Sequence, residues 1–239
     1  MKGFGEKNQS KKEITSKNKQ KVNIGQLIKK AFELHSQGKK LEAAKYYAYL
    51  IKHGIKDYRV FSNYGIFLNE IGKQREAELN LKKAISLNPK YANAYYNLGV
   101  VFIGQGNLEK AELNLKKAVK LKSDFAIAHY NLGFILKDLG RLKEADSYNQ
   151  KALEINPHFT DAYLSLSTLY SRNKNPKWRD QLFSKSILKN KNNRELVNIF
   201  FARSNFLHRE SKYQESAENL INANNILSLI HISEPTRRY

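Results

Sequence analysis

The tetrapeptide Tyr-Asn-Leu-Gly stands at residues 96–99 and again at 130–133, 34 residues later. One period upstream the chain reads Asn63-Tyr64-Gly65, the same phrase with one substitution. Gly38, Gly72, Gly106 and Gly140 fall in the same register, as do Ala43, Ala77, Ala111 and Ala145, and Ala84, Ala118 and Ala152. Pro89 and Pro157 also match, with Ser123 in the slot between them. A fixed period of this length constrains the fold more than any local propensity. Each period must be one supersecondary unit, and stacking of neighbours must bury what a single unit leaves exposed.

The physics inside one unit is legible in residues 92–125. Tyr95, Leu98 and Phe102 are spaced three and four apart and share one helical face. Gly106-Asn107 breaks that helix. A second helical pattern follows at Leu108, Ala111, Leu115, Ala118 and Val119. Gly99 and Ala111 are small where the two helices must approach closely, and Ala118 admits the next unit. The unit is thus an antiparallel helix pair.

These columns resemble the tetratricopeptide repeat: a bulky residue, Leu-Gly and a second bulky residue, then Ala with a bulky residue four on, then Pro. Here they read Phe61, Tyr64, Gly65, Leu68, Ala77, Leu81 and Pro89, then Tyr95, Leu98, Gly99, Phe102, Ala111 and Leu115. The third unit has His129, Leu132, Gly133, Leu136, Ala145 and Pro157, with Asn149 replacing the bulky residue. The resemblance implies an all-α fold, a right-handed superhelical solenoid of antiparallel helix pairs. Its units run 24–57, 58–91, 92–125 and 126–159, with degenerate pairs at 160–196 and 197–226. Ser167 takes the glycine slot and Arg179 the small-residue slot of the first degenerate pair, and the last pair needs an insertion of about three residues.

The family also implies a use. First helices line the concave face of such an array, which puts Asn63, Asn97 and Asn131 at one position on successive first helices. A carboxamide offers an acceptor and two donor hydrogens, so a row of them can grip an extended peptide backbone. In some relatives an asparagine ladder does this. The competing reading is that Asn is merely common there. Other relatives clamp a C-terminal carboxylate with cations in the groove. The matching slots here hold Ser62, Ile66, Tyr96, Val100, Tyr130 and Phe134, and Arg59 is the one nearby cation. Tyr96, Tyr130 and Phe134 suit either apolar side chains of a ligand peptide or packing between adjacent first helices. The expected partner is a protein or peptide in the groove.

Composition narrows the alternatives. The chain of 239 residues has 42 Lys and Arg against 22 Asp and Glu, a net charge of +20. That balance suits an acidic partner, and equally a Lys-, Asn- and Ile-rich coding bias with a solvated surface. Lys82-Lys83 and Lys116-Lys117 belong to second helices, on the outer side. They lack aromatic platforms and a recognised nucleic-acid motif, so nucleic acid is disfavoured. Cysteine is absent, which excludes disulfides and thiolate sites and fits a reducing, cytoplasmic location. No stretch has the length and apolarity of a membrane span. No zinc-protease, nucleophile-elbow or phosphate-loop spacing occurs, so neither catalysis nor a cofactor is expected of these residues.

The two ends depart from the repeats. Residues 1–23 are Lys-rich and aperiodic, and read as a disordered basic arm. Residues 227–239 resemble the translation of a transposase-type sequencing adapter and are set aside as a non-native tail. On that reading the natural chain continues past about Ile226. Bacterial proteins of this kind often place such repeats ahead of a sulfotransferase- or glycosyltransferase-like domain. A substrate-recruiting region of a truncated transferase is therefore the second expectation.

Overall fold

The computed structural model describes residues 23–169 and 176–233, with the side chains of the last three left aside. The expected basic arm, apart from Asn23, lies outside the described residues, as do residues 234–239 of the adapter-like tail. The described elements are helical throughout: α1 Ile24–Ser36, α2 Lys40–Lys52, α3 Tyr58–Glu70, α4 Gln74–Leu87, α5 Ala92–Gly104, α6 Leu108–Leu121, α7 Ala126–Asp138, α8 Leu142–Ile155, α9 Thr160–Leu169, α10 Trp178–Phe183, α11 Asn193–Arg209 and α12 Tyr213–Ser233. They divide into two compact units, one ending at Lys56 and the other beginning at Asp57.

The first unit is the pair α1–α2. Asn23 caps α1 by accepting from the Gln26 N–H. Ala31 and Ala43 are fully buried where the helices cross, and the buried Tyr47 donates its hydroxyl to the Ala31 carbonyl at 3.4 Å.

The second unit repeats that pair. Helices α3–α4, α5–α6, α7–α8 and α11–α12 pack as hairpins, and α4 on α5, α6 on α7 and α8 on α9 make the stack. Each turn needs one residue in the left-handed region. Gly72, Gly106 and Gly140 supply it with φ of 79°, 71° and 73°. The next residue then closes the helix end, as when the Asn107 N–H reaches the Phe102 carbonyl at 2.9 Å. In the last hairpin Ser211 takes this role at φ 61°, with Lys212 N–H on the Leu207 carbonyl at 2.9 Å. Ser211 lies 71 residues after Gly140, three beyond two periods.

Close approach inside each hairpin explains the second glycine column. A Cβ on Gly65 would sit 2.8 Å from Leu81 Cγ, and one on Gly99 2.8 Å from Leu115 Cγ. Only hydrogen leaves room for these leucines, which are fully buried. The pair after Thr160 is irregular. Ser167, in the glycine slot, is buried and turns its hydroxyl to the Leu164 carbonyl at 2.7 Å. Arg179 stands in α10 where earlier units bury an alanine, and this second helix is six residues long. Trp178 opens that helix and anchors it at 8% exposure, edge-on to Tyr163 and Phe206.

Candidate functional site

First helices α3, α5 and α7 lie side by side and are tied by side-chain bonds one period apart. The Asn97 amide donates to the Ser62 hydroxyl at 3.4 Å, and the Asn131 amide to the Tyr96 hydroxyl at 3.5 Å. The asparagine column therefore helps to hold the stack together, because each of these amides reaches back to the preceding first helix. The carbonyl oxygens of Asn97 and Asn131 accept no bond among the described residues. Asn63 is half-buried on α3 at the equivalent position.

The same logic continues past the regular units. Asn198 of α11 donates to Asp161 of α9 at 3.1 Å, and Asn205 to the Ser167 hydroxyl at 3.2 Å. Arg209 adds a bond to the Thr168 carbonyl at 2.7 Å. Sequence reasoning missed Asn198 and Asn205 because neither lies in the asparagine column, which falls on Ala202 once three residues are added to the last period. Their partners lie 37 and 38 residues back rather than 35.

Tyr96 and Tyr130 are half-buried rather than open. Tyr96 packs on Phe125 with ring centroids 4.9 Å apart, and Tyr130 meets Phe159 edge-on at 5.1 Å. Burial pushes both phenols above their ordinary titration range, with Asp161 adding to the shift at Tyr130. Phe134 stands out at 40% exposure, one helical face with Ile127 at 42%. Along that face the column Ile66, Val100 and Phe134 is apolar in all three helices.

Arg59 pairs with Asp57 at the start of α3. Its Nε and Nη2 donate to the two carboxylate oxygens of Asp57 at 3.0 and 2.6 Å, while its backbone N–H caps on Asp57 as well. Burial pushes the Asp57 carboxyl up, but these bonds outweigh it and leave it below its ordinary value. The face of α5 and α7 between Asn93 and Phe134 is thus amide, aromatic and aliphatic in character.

The second helices carry the charge. Lys82 pairs with Glu78 and Lys116 with Glu112, each at 2.6 Å. Arg141, at the start of α8, bridges Glu112 of α6 and Glu144 of its own helix. That network joins neighbouring second helices across their exposed side. Among the described residues no cluster of His, Asp or Glu could hold a metal ion, and no helix is long and apolar enough to cross a membrane.

Comparison with known proteins agrees with this architecture. TPR repeat models match residues 68–106 and 101–140, and a tetratricopeptide repeat model matches 126–159. No curated protein matches the sequence. Among solved structures, Pseudomonas aeruginosa PilF is similar at 15% identity with a TM-score of 0.68, covering 88% of this chain and 93% of that one. MamA is similar at 22% identity and a TM-score of 0.55, covering 82% and 96%. YrrB, a TPR protein with an unusual peptide-binding site, is similar at 21% identity and 0.58, covering 77% and 93%. At these identities the likeness is one of fold. Residues 68–159 are thus tetratricopeptide repeats, and the helices around them share the fold of tetratricopeptide-repeat structures.

Proposed function

We propose that this chain is a protein-interaction module that binds an extended segment of a partner protein across first helices α3, α5 and α7. The observation that carries this reading is the pair of unengaged carboxamide oxygens on Asn97 and Asn131, held at one position on adjacent helices. Each oxygen accepts a backbone N–H of the ligand, while the tie of its own nitrogen fixes its direction. Asn63 extends the row on α3. Ile127 and Phe134 offer apolar area for a ligand side chain beside the row. The peptide-binding site of YrrB, a fold relative, supports the same use.

Neither α5 nor the stretch of α7 up to Phe134 carries a lysine or arginine, which argues against clamping of a C-terminal carboxylate there. The ligand is expected to be uncharged where it crosses α5 and α7. Its affinity should then fall only slightly as salt rises. The test is a hydrogen-exchange footprint of a peptide selected from a displayed library on the whole chain. Protection on α3, α5 and α7 upholds the reading. Protection confined to α4 and α6 overturns it.

A further inference from the structure

The regular hairpins fill the space beside their inner glycine with leucine: Leu81 against Gly65 and Leu115 against Gly99. In α7–α8 the same space holds Asn149, fully buried, with its Nδ2 at 2.6 Å from where a Gly133 Cβ would be. The Asn149 amide donates to the Ala145 carbonyl at 2.9 Å and to the Ser165 hydroxyl at 3.0 Å, and its Oδ1 has no partner. Ser167 is buried two residues further along α9. Asn149 therefore puts a buried carboxamide at the junction of α8 with α9, where the preceding units have Leu81 and Leu115.

The buried apolar residues divide at this junction. One cluster runs from Leu68 to Ala145 and the other from Ala152 to Phe206. Asn149 lies on α8 between the two ends. Half-buried Tyr130 and Leu169 cross at the rims. Leucine and asparagine branch at the same atom and have the same number of side-chain heavy atoms, so this crossing keeps the shape of the two before it and changes its chemistry. An acceptor buried without a donor lowers the stability of the contact that buries it.

We infer that Asn149, Ser165 and Ser167 form a polar seam at which the array flexes, so that α3–α7 and α9–α11 open as separate cooperative units. A stack of repeats owes its cooperativity to the interfaces between neighbours. The weakest interface is where one part opens without the other.

Native-state hydrogen exchange of the full chain in rising denaturant tests this. The slowest amides of α9 and α11 should open in a step of their own, at lower denaturant than those of α5 and α6. Asn149→Leu should raise the protection of α9 and α11 by about tenfold or more and draw the two steps together. Asn149→Ala should drive them further apart. One shared opening step in the native chain would overturn the inference. So would an Asn149→Leu chain whose α9 and α11 protection, or whose helix content by circular dichroism, falls below that of the native chain.

Discussion

The hairpins α5–α6 and α7–α8 have the same geometry and different chemistry. Gly99 faces Leu115 in one, and Gly133 faces Asn149 in the other. Tyr95 in the first corresponds to His129 in the second, and His129 is 8% exposed. The repeat thus specifies small where helices touch and branched where they interlock, but not apolar throughout. Polar residues enter the slots where local groups take up their hydrogens: Ala145 and Ser165 for Asn149, and the Ser123 carbonyl at 3.0 Å for His129. The cost appears in what is left over, namely Asn149 Oδ1 and His129 Nδ1, both buried without a partner.

The largest expected difference between the hairpins lies in truncation. Leu115→Ala should cost about 2–5 kcal/mol in urea unfolding, because it removes a fully buried side chain from a tight crossing. Asn149→Ala should cost about 1–2 kcal/mol, since it also relieves an unpaired acceptor. Equal costs would break the comparison. Gly99→Ala comes next, at about 1–3 kcal/mol, because the new Cβ would lie 2.8 Å from Leu115 Cγ and 3.4 Å from the Ala111 carbonyl.

A pH dependence should follow from His129. Burial lowers its pKa below the ordinary 6.5, against the bond to the Ser123 carbonyl, and Lys151 adds to the lowering. The neutral ring is the stable form in the fold, so His129 imposes no cost above the unfolded value. Stability should decline as pH falls from there through the lower folded value, because the unfolded chain takes up the proton first. His129→Tyr, which restores the residue type of Tyr95, should flatten that decline in thermal melts between pH 7 and about 5. An unchanged slope would mean that other groups set it. The smallest effect is expected at Asn97→Ala. Its bond to Ser62 is long, 3.4 Å, and half-buried, so the loss in stability should stay below about 1 kcal/mol.

The helix pairs were legible because the period encodes shape, and shape needs only a few residue types at fixed offsets. Gly72, Gly106 and Gly140 announce their turns, since a positive φ favours glycine. Ser211 makes the same turn without that signal, and its hairpin becomes recognisable only through the bond from Lys212 to Leu207. The asparagine column was visible, yet its engagement was not. Which atom Asn97 reaches depends on how adjacent first helices are offset, and Ser62 gives no sign in sequence of being its acceptor. Tyr96 and Tyr130 suited both open and packed readings until Phe125 and Phe159 were placed beside them.

The most direct test of the central claim is the affinity of a selected peptide for the chain carrying Asn63→Ala, Asn97→Ala and Asn131→Ala together, with folding verified by circular dichroism. An asparagine row that grips backbone predicts a loss of about tenfold or more at unchanged helix content. Unchanged affinity in the folded triple variant would contradict it, and would leave the asparagines as ties between helices alone.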